Sequence, residues 1–313
     1  LRRSSAASDV YKRQRLGRLS ERILRDPRFS TSVGTLCRAL ADSGMSDPQS
    51  CRWWVVTDLD GTLMDHQYDW SPAAAVLRSL QRAGVPVIPC TSKTAEEVER
   101  FRTAAQLRDP YIVENGGAIH GETATGQPWE EALGPGWSAL KPRLQELSEQ
   151  LAEPLQALDE LTEAEGGRLL GLTGALLQQA QRRRCSVPFV PPPLAIQPRL
   201  DALAAAKELA VVRGNRMCHL LGGGVSKGNA LAALKQRLGE PDVKVLALGD
   251  SPNDLPLLEV ADLAVVVPGV DGPHPQLSAG VQSGRFELAR AAHAEGWAEA
   301  VVRLLPLGGT IFA

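Results

Sequence analysis

The chain has no excess of charge of either sign: 34 lysines and arginines stand against 36 aspartates and glutamates, a formal net charge of −2. That balance leaves out the broad basic footprint of a dedicated nucleic-acid binder, so no nucleic-acid partner is expected. No uncharged apolar run reaches the roughly 18 residues of a membrane span, so no spanning helix is expected either. The five cysteines (Cys37, Cys51, Cys90, Cys185 and Cys218) are odd in number and scattered, without a C-x-x-C pair. This argues against a disulfide framework and a structural zinc site, and makes a reducing, cytoplasmic setting the expectation. Internal repeats are absent, as is a G-x-x-x-x-G-K-[ST] phosphate loop. What remains is an ordinary globular composition: 313 residues, 43% hydrophobic and 22% charged. It suffices for two modest domains with a real core.

Residues 1–50 stand apart. Leu1 to Gln14 is basic, rich in Ser and Ala, and lacks the apolar centre of a secretory signal. It reads as translated adapter sequence; a mitochondrial-type presequence is the rival reading. Residues 15–50 are polar, with one weakly helical stretch at Leu16 to Leu24 and a turn-rich end at Asp42 to Ser50. They are expected to form an N-terminal extension outside the chemistry.

From Trp53 onward, strands alternate with helices. Trp53 to Thr57 (WWVVT) reads as a buried strand. Ser71, Pro72, the spacing of Val76, Leu77 and Leu80, and an exit at Gly84 predict a helix. Val85 to Cys90 is a second strand, Thr94 and Glu97 form a capping box opening a second helix, and Tyr111 to Val113 is a third strand. The order implies right-handed crossovers and a parallel sheet.

The pattern changes after Gly121. Gly121 to Gly136 is rich in Gly, Pro and polar residues, a predicted hinge. Helices are expected over Trp137 to Leu161, broken at Pro154, then Leu172 to Arg184 and Arg199 to Leu209. Val187 to Pro193 carries too many prolines for a central strand. Gly214-Asn215 predicts a hairpin turn between Leu209–Arg213 and Arg216–Leu221. The α/β pattern then resumes with a helix capped by Ser226, a strand at Val243 to Leu248, a helix at Asp254 to Val260, a strand at Leu263 to Val267 and closing helices over 286–305. The expected fold is therefore α/β, a Rossmann-like parallel-sheet core with an inserted α+β cap domain. Its boundaries are 51–121 for the first core part, 122–221 for the cap and 222–313 for the second core part.

Candidate chemistry sits at the carboxyl ends of the strands. In Asp58-Leu59-Asp60-Gly61-Thr62, positions i and i+2 of an extended chain point to one side, so both carboxylates face one space. One can attack phosphorus and the other serve as general acid and base; a plain acidic turn is the alternative. Thr91-Ser92-Lys93 offers hydroxyls and N–H groups for phosphoryl oxygens, or merely a helix cap. Lys227 can neutralise a phosphoryl group and the carboxylate attacking it, or be a solvated lysine. Gly249-Asp250-Ser251-Pro252-Asn253-Asp254 follows an apolar strand and suits an oxygen-ligated Mg²⁺, with helix capping competing for Asp254.

Taken in order, these four segments resemble the motifs of the haloacid dehalogenase superfamily of phosphotransferases, and the insertion resembles its type IIB cap. Cys90 to Val98, Ile112 to Ile119 and Asn215 to Gly222 further resemble segments of the mannosyl-3-phosphoglycerate phosphatase family, over about Trp53 to Leu305. One departure is Ser186-Val187-Pro188-Phe189, where that family tends to carry an acidic residue before Pro-Phe, which bears on the identity of the hexose.

The resemblance implies that Asp58 is the nucleophile and Asp60 the general acid and base, with Thr91 and Lys227 on phosphoryl oxygens. It also implies Mg²⁺ held by Asp58, the Asp60 carbonyl and Asp250, with Asp254 in support. The implied substrate is a small phosphorylated sugar-glycerate. Its carboxylate suits a bidentate pair with Arg216. His219, farther along the same predicted strand, is expected to share its face, or else to be a structural histidine. Asn115, Gly116 and Gly117 end a core strand where backbone could approach substrate, or form a bare turn. Arg182, Arg183 and Arg184 form another basic run that reads as a solvated helix face, with a place in the site as the alternative. The leading function is hydrolysis of mannosyl-3-phosphoglycerate, with glucosyl-3-phosphoglycerate or another sugar phosphate such as sucrose-phosphate as alternatives. A phosphomutase and a non-catalytic binding module complete the set.

Overall fold

The computed structural model describes residues 52–306; the expectations for residues 1–50 lie outside the described residues. The first half of the core runs β1 (Trp53–Thr57), α1 (Ala74–Arg82), β2 (Val87–Pro89), α2 (Ala95–Ala105), β3 (Tyr111–Val113), β4 (Ala118–Glu122) and β5 (Pro128–Ala132). The insertion carries α3 (Trp137–Leu151), α4 (Glu163–Leu170), α5 (Ala175–Gln181), β6 (Val187–Phe189), α6 (Gln197–Ala205), β7 (Leu209–Arg213) and β8 (Cys218–Gly222). The core then resumes with α7 (Lys227–Arg237), β9 (Lys244–Gly249), α8 (Leu255–Val260), β10 (Leu263–Val266), α9 (Pro275–Gln282), β11 (Glu287–Leu288) and α10 (His293–Leu304).

Five parallel strands form the main sheet, ordered β11-β10-β9-β1-β2, so β9 is central and β1 lies between it and the edge strand β2. Alternation along the strands sends side chains to two separate apolar layers. Val55, Leu246 and Leu248 pack on one face, and Trp54, Val56, Val245 and Ala247 on the other. Both faces being covered explains why these strands read as continuous apolar runs. The Thr94–Glu97 capping box at the start of α2 is present as expected, with Thr94 N–H donating to Glu97 at 2.9 Å.

The insertion has its own three-stranded antiparallel sheet, β6-β8-β7, and its own apolar cluster, from Leu140 and Leu144 to Phe189 and Leu220. β6, with Pro188 at its centre, lies at the edge of that sheet, where a missing N–H removes no ladder bond, and the prolines at 191–193 follow the strand. The predicted helix over Trp137 to Leu161 stops at Leu151, with Ala152 in the left-handed region at φ 52°.

Residues 121–136 are not a hinge. They hold β5, paired antiparallel with β4, and Trp129 and Leu133 pack against the main-sheet core. The stretch reads as polar because β5 is an edge strand with every second residue exposed. We therefore place the entry to the cap after Leu133 instead of at residue 122.

Candidate active site

Parallel pairing of β1 with β9 sets Thr57 beside Leu248, and the Asp58 N–H donates to the Leu248 carbonyl at 3.0 Å. Both chains leave the sheet at this edge, so Asp58 and Asp250 arrive together. Oxygens of Asp58, Asp250 and Asp254 lie within 4.8 Å of one another. Gly61 turns the chain at φ 87°, and a Cβ there would fall on the Asp250 carboxylate; only glycine leaves room for that approach. Thr62 donates its hydroxyl to Asp250 Oδ1 at 2.8 Å. From the far end of the chain, His293 bonds the Gly61 carbonyl at 2.8 Å and the Trp297 indole donates to Thr57 Oγ1 at 2.9 Å.

Lys227 is the first residue of α7, whose cap Ser226 accepts from the Asn229 N–H. Its buried ammonium donates to Asp58 Oδ1 at 2.8 Å and Asp254 Oδ1 at 2.5 Å. The other oxygen of Asp254 accepts the N–H groups of Asp250 and Ser251, each at 3.0 Å. Asp254 thus braces the turn and pairs with the lysine, beside the oxygens of Asp58 and Asp250.

Three carboxylates cluster around one ammonium that bonds two of them, Asp58 and Asp254, and the surplus negative charge shows in the ionisation. Burial pushes the Asp58 carboxyl up to about 6, with Lys227 opposing and Asp254 adding to it. Burial, then Asp254 and Asp58, push Asp250 well above the usual carboxylate range. Burial works against the Lys227 ammonium, but Asp254 and Asp58 outweigh it and raise its pKa. An all-oxygen donor set with two uncompensated charges in a turn tight enough to demand glycine suits a small hard divalent cation such as Mg²⁺.

Above the cluster, Asp58 and Asp60 line one cavity of about 90 Å³. Asp60 pairs with Lys93 at 2.8 Å, and 40% of its side chain remains exposed. Thr91 is fully buried, its hydroxyl accepting the Lys93 N–H at 3.3 Å. Ser92 and Lys93 line the cavity. Asn115, Gly116 and Gly117 are not brought to its wall. Gly116 packs on the Ser226 backbone and Gly117 on Cys185, while Asn115 accepts a hydrogen bond from Asn253 at 3.0 Å.

Cap residues close the other side. Asn215, at the tip of the β7–β8 hairpin, donates to Asp250 Oδ2 at 2.8 Å. Arg216 and His219 both line the cavity, but Arg216 lies in the turn before β8 and His219 within it. Three positions separate them, an odd offset, so the expectation of a shared strand face fails. Arg216 spends Nη1 on the Leu170 carbonyl and the Tyr68 hydroxyl. His219 is buried, and its Nδ1 has no partner.

The reading of Arg182–Arg184 as a solvated face is corrected at its middle residue. Arg183 is buried in the cavity wall, donating to the Ser92 carbonyl and facing Glu97 at 3.9 Å, because α5 packs on α2 there. Arg182 and Arg184 remain outside, paired with Glu96 and Glu130. Ser186 lies away from the cavity and donates to Glu114 at 2.6 Å; Glu114 also accepts the N–H groups of Arg184 and Cys185. The departure at Ser186 therefore bears on the joint between cap and core. Tyr68 and Arg183 join the cavity without any motif having marked them, and Asn215, read in sequence as a turn residue opening a family-like segment, joins them.

A profile of the haloacid dehalogenase-like hydrolases matches residues 55–132 and 199–268. A Persephonella marina protein named glucosyl-3-phosphoglycerate/mannosyl-3-phosphoglycerate phosphatase is 26% identical over 267 residues, spanning 80% of this chain and 96% of the relative. Among solved structures, a phosphatase of the haloalkanoate superfamily from Bacteroides thetaiotaomicron aligns with TM-score 0.60 at 17% identity, covering 83% of this chain and 98% of its own. The sucrose-phosphatase of Synechocystis, solved with sucrose and phosphate, aligns with TM-score 0.52 at 18% identity, covering 80% and 97%.

Proposed function

The chain belongs to the haloacid dehalogenase superfamily and is a phosphatase of that kind; from this premise we propose that it hydrolyses a glycosyl-3-phosphoglycerate, the mannosyl or the glucosyl ester, through an aspartyl-phosphate. The observation that carries the reading is the meeting of Asp58, Asp250 and Lys227 in one buried cluster, below a cavity walled by Lys93, Arg183 and Arg216. A phosphate ester that also bears a carboxylate needs both, a neutralised centre for attack and cations for its second anionic end.

In this reading Asp58 Oδ2, the oxygen free of Lys227, attacks phosphorus. As the bond to the glycerate oxygen breaks, Asp60 gives that oxygen its proton. Asp60 then takes a proton from water as the water attacks phosphorus, and Asp58 is released with inorganic phosphate. Lys227 balances the charge of Asp58 throughout, and Thr91 and Ser92 offer hydroxyls to the phosphoryl oxygens. Magnesium bound by Asp58, the Asp60 carbonyl and Asp250, with Asp254 alongside, would offset the negative oxygens on both reactants. Lys93, Arg216 and His219 face the rest of the substrate.

The exposed flank of Asp60 gives water a place beside the general base, which favours a hydrolase over a phosphomutase. Asn215, Arg216 and His219 of the cap wall the cavity together with Asp58 and Asp60 of the core, so a glycosylated substrate occupies the space between cap and core. The free buried thiols of Cys90, Cys185 and Cys218 support a reducing, cytoplasmic setting. No described helix is long and apolar enough to cross a membrane.

The test is phosphate release with Mg²⁺ from mannosyl- and glucosyl-3-phosphoglycerate side by side, with sucrose 6-phosphate as control. Faster turnover of either glycerate ester is expected; a preference for sucrose 6-phosphate overturns the assignment.

A further inference from the structure

Tyr68 belongs to no motif, yet it touches both halves of the molecule. It sits in the loop following the Asp58–Thr62 turn with φ 63°, a left-handed conformation that a bulky residue holds only when its surroundings enforce it. One cation of the core and one of the cap share its ring. Lys93 Nζ lies 4.6 Å from the ring centroid and the Arg216 guanidinium carbon 5.9 Å, both within cation–π range. The phenol donates to the Leu170 carbonyl at 3.2 Å and accepts from Arg216 Nη1 at 3.1 Å. Leu170 ends α4 and Arg216 lies in the β7–β8 turn, so one core side chain holds two cap segments. On the core side Lys93 is bonded to Asp60. A continuous path thus runs from the general acid through Lys93 and Tyr68 to the cap.

We propose that Tyr68 is a positioning residue: clamped between Lys93 and Arg216, it seats the cap against Asp60 and so controls turnover of substrates whose leaving group extends into the cap. The proposal rests on the phosphatase reading above. Removing the ring takes from two cations their common partner and loosens the cap over the leaving oxygen. A misplacement of about an ångström there is worth about a hundredfold in rate. A small aryl phosphate such as p-nitrophenyl phosphate has no group in the cap, and its leaving anion is stable enough to depend little on the proton from Asp60. Its rate should therefore follow Tyr68 far less.

The experiment compares wild type, Tyr68→Phe and Tyr68→Leu on the better of the two glycosyl-3-phosphoglycerates and on p-nitrophenyl phosphate. Hydrogen exchange of the substrate-free proteins is measured over residues 168–174 and 213–219. For Tyr68→Leu, the ratio of kcat/KM between the glycosyl ester and the aryl phosphate is expected to fall by about a hundredfold. Tyr68→Phe keeps the ring and should recover most of kcat, its remaining loss appearing in KM for the glycosyl ester. Exchange should rise in both cap segments of Tyr68→Leu but not in β1 or β9. Equal losses on the two substrates, or unchanged exchange in the cap segments, overturn the proposal. If wild type turns over neither glycosyl ester, the substrate assignment fails by itself, and the exchange result alone decides the role of Tyr68. Should Tyr68→Leu not fold, Tyr68→Phe decides: a KM rise confined to the glycosyl ester supports the proposal, and identical KM changes on both substrates overturn it.

Discussion

Acidifying the solution from pH 7 to 5 should destabilise this protein through one imidazole, that of His219. It stands in the middle strand of the cap sheet, 5% exposed, with Nδ1 lacking a hydrogen-bond partner. Burial, and then the positive charges of Arg183 and Lys227, hold its pKa down at about 3 against an ordinary 6.5. The folded state therefore keeps the ring neutral at pH 5, whereas the unfolded chain binds a proton there. Stability from this group is fully present above 6.5 and drains away as pH falls from 6.5 toward 3. At pH 5 the gap is 1.5 units below the unfolded value, worth about 2 kcal/mol. The magnitude at that pH is set by the unfolded value, provided the folded pKa lies well below 5. Other groups titrate too. The raised carboxyls of Asp58 and Asp250 favour the fold on acidification, and the lowered pKa of His120 works against it. A difference between two proteins removes these shared contributions. Urea unfolding of wild type and His219→Gln at pH 7 and pH 5, without divalent cation, supplies that difference. Wild type should lose about 2 kcal/mol more than the variant between the two pH values. Equal losses would refute the claim that the ring is buried neutral.

Asp58→Asn should lower phosphate release by at least about a thousandfold while melting no lower than wild type, since it removes one of three clustered carboxylates and leaves Asp254 paired with Lys227. Phosphate release and a melting curve on the same sample check both halves. Asp250→Ala should raise the Mg²⁺ concentration giving half-maximal activity by about tenfold or more, and an unchanged titration would count against it as a ligand. Lys227→Met leaves Asp58 and Asp254 buried without their cation and should cost about 3–5 kcal/mol in urea unfolding at pH 7. Adding Asp254→Asn to that variant should restore part of the loss; a double variant no more stable than the single one would show that the pair is not coupled.

The core of this molecule was readable because its chemistry is carried by residues adjacent in the chain. Asp58 and Asp60 follow directly on the apolar strand Trp53–Thr57, and Asp250 follows Lys244–Gly249. A strand end places such residues without help from distant sequence. Asp254 was readable only in part, because capping and ion pairing ask for the same carboxylate, and the structure gives one oxygen to each. The edge strand Pro128–Ala132 was misread as a hinge. Its outward half carries Pro128, Glu130 and Ala132, and only Trp129 and Leu133 hint at the packing beneath.

Residues whose role depends on a partner far along the chain left no local signal. Arg183 reads like its neighbours Arg182 and Arg184, and its burial is decided by Ser92 and Glu97 about ninety positions earlier. Asn215 reads as a hairpin turn, which it is, yet its amide reaches Asp250 across the cavity. Both cases share a physical cause. The core sheet assembles a site with more negative charge than Lys227 balances, and the facing surface supplies donors to it. Selection for donors acts on wherever the cap tip lands, and a turn or a helix end can meet it with no change in its own periodicity. The cap side of such a site is therefore legible from the electrostatic demand of the core side: given buried Asp58 and Asp250, a donor poised over them is required by the desolvation of their oxygens, and Asn215 meets that requirement for Asp250.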